Sequence, residues 1–233
     1  MSVVVVTGAS GTLGSRLVPA LRDAGYDVRG MTRKAGRVGA GEVVADVLDP
    51  ASLRPALAGA DLVFHLASNP RRHSPSEVDG TRNVLAAAES GHVVYLSIVG
   101  CDRTPFGYYR AKTAAEELVR GGGGTVVRAT QFHSLVRTML APRLASRAIA
   151  PRGIRLQPVA EDFVVDVLVE AVLNPSSAPA EIAGPEQLDL DQLARRVTGH
   201  PPIALPLPLP LVKAVQAGSL LAGPGARTGG QPL

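Results

Sequence analysis

The segment TPFGYYRAKTAAEE, residues 104–117, sets two tyrosines directly ahead of a lysine at the start of an Ala/Glu-rich helical run. Residues four apart share a face of a helix, so Tyr108 and Lys112 can point into one cleft, as a catalytic Tyr/Lys pair would. Tyr109, three before Lys112, lies about 100° round the helix from Tyr108. The competing reading of the same stretch is an amphipathic helix start whose aromatic rings fill the core.

A second stretch with chemistry in its spacing is TGASGTLG, which supplies Gly8, Gly11 and Gly14 between an apolar β-branched run and a helical pattern. Gly8 allows a tight turn, Gly11 lets backbone approach a pyrophosphate, and Gly14 permits close packing of helix on strand. The helix start then offers free N–H groups and a positive dipole end to the phosphates, with Thr7, Ser10 and Thr12 as added hydroxyl donors. A dinucleotide is the ligand this arrangement suits. At the end of the second strand, GMTRKAGR has no acid to hold a free ribose hydroxyl but carries Thr32, Arg33, Lys34 and Arg37. Cations there favour the 2′-phosphate of NADP(H) over NAD(H); the alternative is a solvated basic loop. Asp46 can accept a hydrogen bond from the adenine amino group or cap the helix that follows.

Several other groups have bland readings beside the sharp ones. His65, between Phe64 and Leu66 in an apolar strand, reads as a satisfied core histidine. Arg71, Arg72 and His73 follow the fourth strand, where they could grip an anion or form a solvated loop. Thr130, Gln131 and Phe132 follow the sixth strand and are expected near the nicotinamide end, with His133 as an alternative proton donor. Glu161, Asp162 and Asp166 open a helix, where acids complement the dipole. They have no histidine partners to make a metal site, and no metal is expected.

The elements that must position these residues alternate. Strand patterns at 3–8, 26–32, 41–46, 61–68, 92–98 and 125–132 are separated by helical ones at about 12–24, 51–58, 81–90 and 106–120. Continuous apolar strands between helices predict a parallel sheet covered on both faces, and right-handed crossovers make it a doubly wound α/β, or Rossmann, fold. Residues 1–150 form this core. Residues 151–233 are expected to form a small α+β section packed on it, with strand patterns at 154–159 and 180–186, helices at 161–173 and 188–199, and one strand that can return to the main sheet. Alternating prolines block a central strand or helix across 201–210.

Composition narrows the function classes. Aromatic residues are 3% of the chain, so Val, Leu and Ala must build the core. The +4 charge is carried almost wholly by scattered arginines, with lysine only at Lys34, Lys112 and Lys213; no basic run is interleaved with aromatics, so nucleic acid is not expected. The single cysteine, Cys101, excludes an intrachain disulfide framework and a Cys-based zinc site. No secretory leader pattern opens the chain and no apolar stretch reaches membrane-spanning length, so a cytoplasmic location without membrane association is expected.

On these motifs, together with VVADVLD, HLAS, EVDGTRNVLAAAE and Tyr108-x-x-x-Lys112, the chain resembles the short-chain dehydrogenase/reductase superfamily. RATQF, QPV and AGPE are similar to its atypical, NmrA-like NAD(P)H-binding branch, and the likeness runs to about residue 200. The resemblance implies that Tyr108 is a general acid/base, and that Lys112 binds the nicotinamide ribose and lowers the tyrosine pKa. A free phenol, with a pKa of about 10, is poorly matched to neutral pH, and a nearby ammonium favours its ionised form. Ser97 would orient the substrate oxygen, although many relatives carry that hydroxyl about two residues later, at Val99. The implied cofactor-binding set is Gly8, Ser10, Gly11, Thr12, Leu13, Gly14, Arg33, Lys34, Asp46, Val47, Ala67, Ser68 and Lys112. The function it implies is an NADP(H)-dependent oxidoreductase acting on a small carbonyl, enone or imine substrate, as a monomer or homodimer. The alternatives are a cofactor-binding regulator without catalysis, and an epimerase or dehydratase with tightly held NAD.

Overall fold

The computed structural model describes residues 2–70, 76–142, 148–206 and 209–233. The first run, β1 (Val3–Thr7), is buried on both faces, with Val4, Val5 and Val6 all at 0% exposure. Only a central strand buries consecutive residues in this way. It pairs in parallel with β2 (Asp27–Thr32) on one side and β4 (Leu62–His65) on the other, setting Val4 opposite both Val28 and Leu62. Between them come α1 (Gly14–Asp23), the edge strand β3 (Glu42–Val44) and α2 (Pro50–Leu57). Then follow α3 (Asp79–Ala87), β5 (His92–Ile98), α4 (Gly107–Gly121) and β6 (Thr125–Ala129).

The rest comprises α5 (His133–Met139), β7 (Ile149–Pro151), β8 (Arg155–Leu156), α6 (Glu161–Glu170) and a 3-10 turn (Pro175–Ser177). After these come β9 (Glu181–Ala183), β10 (Leu188–Asp189), α7 (Leu190–Thr198), β11 (Ile203–Leu205), α8 (Pro210–Gln216) and β12 (Arg227–Thr228). The central sheet is mostly parallel and has eight strands in the order β12-β9-β6-β5-β4-β1-β2-β3. This is the doubly wound Rossmann arrangement, whose strand order reverses direction beside β1. The expected return of a late strand to the sheet is made by β9, and β12 adds a further, unexpected edge.

Three differences from the pattern reading have local causes. The strand expected over 154–159 shrinks to Arg155–Leu156, paired antiparallel with β10, because Pro158 has no N–H to continue a ladder. The proline-rich 201–210 stretch holds β11, a three-residue strand paired only with β7, an edge position that proline allows. Its last proline, Pro210, opens α8 at the first helical turn, where the missing N–H costs nothing.

Contacts group the chain into two units: Met1–Ser97 with Arg110–Val127 and Val165–Ala178, and Ile98–Tyr109 with Arg128–Val164 and Pro179–Leu233. In the first, α2 and α3 cover one sheet face through Leu53, Leu57 and Val84, which pack on Val5, Met31 and Val63. In the second, α7 and α8 supply Leu193, Val212 and Val215 to a core shared with Val136 and Leu156. Helix α7 is closed at its start by a capping box between Asp189 and Gln192 and at its end by Gly199 at φ 76°.

His65 is a core histidine. Its Nδ1 pairs with Thr7 Oγ1 at 2.8 Å and its Nε2 with Thr81 Oγ1 at 3.1 Å. Burial first, and the Lys112 charge second, push its pKa down to about 4, against a smaller opposing pull from Glu77. The unfolded chain therefore binds a proton between about pH 6.5 and 4 that the folded chain refuses. Stability should fall across that window by on the order of 3 kcal/mol. A His65→Gln variant should flatten this part of the curve in urea melts at pH 7, 6 and 5; a parallel curve would mean that another group titrates.

Candidate functional site

The glycine turn has the geometry its spacing predicts. Gly8 sits at φ 68°, and Gly11 N–H donates to Gly8 O at 2.9 Å to close the turn. A Cβ on Gly8 would stand 2.8 Å from Ala67 N, and one on Gly14 would stand 2.4 Å from Gly8 O. Both contacts are shorter than any side chain tolerates, so these positions require glycine. Gly11 is exposed, and Leu13, which precedes the helix, gives no side-chain cap to the first N–H groups of α1.

Beside this turn lies a cavity of about 510 Å³. Gly8, Ser10 and Gly11 line it from the turn, Arg33 from the end of β2, Asp46 and Val47 from beyond β3, and Ala67 and Ser68 from beyond β4. Of the remaining expected residues, Leu13 and Gly14 are buried at the root of α1, Thr12 and Lys34 are exposed, and Lys112 is buried; none of these is in the lining. Asn69 and Ser76 belong to the polar wall and were not singled out by pattern. The expected Arg71, Arg72 and His73 lie outside the described residues. Asp46 is not the helix cap: Asp49 caps α2 by accepting from Ala51 N at 3.0 Å, while Asp46 Oδ1 accepts from Leu48 N at 3.0 Å.

The basic loop after β2 is shaped by an acid from β3. The Glu42 carboxylate accepts from the backbone N–H of Gly36 at 2.7 Å, Arg37 at 2.6 Å and Val38 at 2.7 Å. The Val38 bond leads the set of backbone bonds that hold its pKa down against a modest desolvation effect. Three consecutive N–H groups converging on one anion form a nest, which gives this short loop a defined path.

On the far side of the Ser68–Asn69 wall is a buried ion pair. Lys112 Nζ lies 3.1 Å from Glu77 Oε2 and donates to Leu96 O at 3.1 Å, with its charge 4.5 Å from the centre of the Tyr95 ring. Burial raises the Glu77 pKa, but the Lys112 charge and hydrogen bonds from Ser68, Asn69 and Lys112 outweigh it and hold the carboxyl low. Pattern reading missed Glu77. Its only signal was an acid two residues ahead of Asp79, the first residue of α3, where acids are commonplace.

In the second unit, Tyr109 packs on the apolar cluster containing Val136 and Leu156, and burial, then Cys101, push its pKa up. Tyr108, at the start of α4, is half-buried and meets Phe106 edge-on. Ser97 is buried within β5, and Val99 is fully buried with its N–H donating to Ala129 O at 3.0 Å. Thr104, the next hydroxyl residue, is bonded to Gly100 O and to Ser219 Oγ. After β6, Gln131 uses both ends of its amide on the scaffold, at Leu220 O and Gln157 N. Thr130 Oγ1 and His133 Nε2 are buried atoms with no hydrogen-bond partner among the described residues. Such atoms are uncommon and suit a polar ligand. Glu161 accepts from Ser134 N at 3.0 Å and so caps α5. Among the described residues, no three His, Cys, Asp or Glu side chains converge as a metal site, and no helix is long and apolar enough to cross a membrane.

A glycine turn before the first helix, and a cavity beyond the carboxyl ends of parallel strands where their order reverses, define a nucleotide-binding α/β protein. Residues 8–134 match the family model described as NAD(P)H-binding, and the chain belongs to that family. Cinnamoyl-CoA reductase 1 of Oryza sativa subsp. japonica is 34% identical over 191 residues, covering 74% of this chain and 56% of the reductase. The chain thus spans little more than half the length of that relative. A short-chain dehydrogenase/reductase superfamily protein from Agrobacterium tumefaciens with bound NAD superposes with a TM-score of 0.72 at 21% identity, over 88% of this chain and 85% of that one. The NADPH-dependent quinone oxidoreductase of Escherichia coli, complexed with NADPH, gives 0.75 at 18% identity, over 94% and 91%. At these identities the two structures establish the shared fold.

Proposed function

We propose that this protein is an NADP(H)-dependent reductase of the NmrA-like branch, acting on a small carbonyl, enone or imine substrate, in the cytoplasm, as a monomer or homodimer. The observation that carries the reading is the cavity itself: a glycine turn that a Cβ would fill on one side, and Arg33 with no acid at the end of β2 on the other. In this reading Gly8, Ser10 and Gly11 receive the pyrophosphate, and Thr12, Leu13 and Gly14 shape the helix start behind them. Asp46 and Val47 receive the adenine, Ala67 and Ser68 form the opposite wall, and Arg33 with Lys34 meets the 2′-phosphate. When bound, the dinucleotide supplies the hydride. Tyr108 gives or takes the proton, four residues before Lys112 on α4, and Ser97 is the candidate for the third member.

The direct test is NADPH oxidation over a carbonyl panel, with calorimetric titration of NADP(H) and NAD(H). Arg33→Ala should weaken NADPH binding by about tenfold, as expected for loss of one charge-assisted phosphate contact, and leave NADH binding nearly unchanged. A wild type that prefers NADH would refute the assignment of the β2 loop.

A second reading, a cofactor-binding regulator without turnover, is favoured by two observations. The Lys112 ammonium is directed at Glu77 and Leu96 O, and Val99 stands where many relatives carry a hydroxyl. It predicts dinucleotide binding with no oxidation of NADPH by any member of the panel.

A further inference from the structure

Glu77 is 1% exposed, and its two oxygens serve different neighbours. Oε1 accepts from Ser68 Oγ at 2.7 Å and from Asn69 N at 2.9 Å. Oε2 accepts from the Tyr95 hydroxyl at 2.9 Å and faces Lys112 Nζ at 3.1 Å. Ser68 and Asn69 are wall residues of the cavity, whereas Lys112, 4% exposed, belongs to α4. A full negative charge is therefore buried behind the cavity wall against a full positive one. Burial opposes either charge alone, and removing one partner leaves the other without compensation.

The other titratable groups facing the pair cannot take over this task. His65, from β4, is buried and hydrogen-bonded at both ring nitrogens to threonine hydroxyls, and its ring centre is 5.4 Å from that of Tyr95. Tyr95, from β5, is a fully buried phenol that donates to the carboxylate. Glu77 is the carboxylate that pairs with Lys112, at 3.1 Å.

We propose that Glu77 is a positioning residue of the dinucleotide site. Its carboxylate keeps the buried Lys112 ammonium charged through one oxygen and, through the other, holds the Ser68–Asn69 wall in place. Dinucleotide affinity and the charge on α4 then depend on one group. The proposal rests on the reading of the cavity as a dinucleotide site, and is independent of the role of Tyr108.

The chain has only three lysines, so the Lys112 side chain can be followed directly by carbon-13 NMR of its Cε atom. Its signal in Glu77→Gln should differ from that of the wild type at pH 7, because the carboxylate 3.1 Å from Nζ is replaced by a neutral amide. Calorimetric titration with NADPH should show Glu77→Gln binding about tenfold more weakly at pH 7. A Lys112 signal that behaves alike in both proteins overturns the proposal even if NADPH binds. Absence of NADPH binding by the wild type overturns the cavity reading and the proposal together. If Glu77→Gln does not fold, the Glu77→Gln/Lys112→Met double variant decides. With neither charge left buried it should recover a cooperative melt, and a double variant no more stable than the single overturns the idea. Tyr108→Phe should leave the Lys112 signal and NADPH affinity as in the wild type, which separates this inference from the proton-transfer step.

Discussion

Replacing Tyr108 by Phe should lower the rate of NADPH oxidation with a carbonyl substrate by at least about a hundredfold, the lower end of what a positioned general acid contributes. NADPH affinity should change by less than about a factor of two, because the substitution removes one oxygen from a residue outside the cavity lining. The choice of Tyr108 over Tyr109 has a physical basis. Tyr109 packs on an apolar cluster, and burial raises its pKa, so it is the poorer proton donor near neutral pH. Tyr109→Phe is the control, and should retain most of the activity. Stopped-flow absorbance of NADPH under single-turnover conditions reads the step directly. A Tyr108→Phe rate equal to wild type would remove that residue from the chemistry, and His133, with its unpartnered Nε2, would then be the next group to test.

The largest stability effect is expected from Lys112→Met. The methionine fills much of the volume but leaves the Glu77 carboxylate buried with three neutral donors, Ser68 Oγ, Asn69 N and Tyr95 OH, and no counter-charge among the described residues. Breaking one side of a buried pair costs about 3–5 kcal/mol, which for a chain of this size lowers Tm by roughly 10 °C. The pH dependence identifies the cause. In the wild type the folded pKa of Glu77 is held low, so the pair's contribution is complete above the unfolded carboxyl value and is lost only as pH falls through the lower folded value. In Lys112→Met, burial acts unopposed by the ammonium and favours the protonated carboxyl. The penalty is then absent below the unfolded value and grows as pH rises. The Tm gap between the two proteins should therefore be widest near pH 7 and narrow toward about pH 4. Calorimetric scans at pH 4.5, 6 and 7.5 test this, and a gap independent of pH would show that packing, not charge, sets the cost.

Much of the nucleotide-binding half could be read from the chain. Strand and helix periods located β1, β2, β4, β5 and β6 with their helices, because a central parallel strand must be apolar on both faces and leaves an unmistakable run such as VVVV. The glycines were legible for a related reason. A positive φ at Gly8 and a Cβ-free contact at Gly14 admit a single residue type, so function there constrains identity. The C-terminal half was harder. Strands β7, β8, β10, β11 and β12 are two or three residues long, and α5 is a seven-residue helix in a stretch with no clear period. Pairing partners distant in sequence, rather than local propensity, select such elements.

Local conformation and repeating apolar periods made the fold class, the glycine turn and the helix that carries Tyr108 and Lys112 legible in the chain. The tertiary structure alone decided what Lys112 touches. Helical spacing aligned it with Tyr108, yet its ammonium is held by Glu77, 35 positions earlier in the chain, and by the carbonyl of Leu96. A buried charge must find an opposite charge wherever the fold brings one, and no pattern along the chain records where that is.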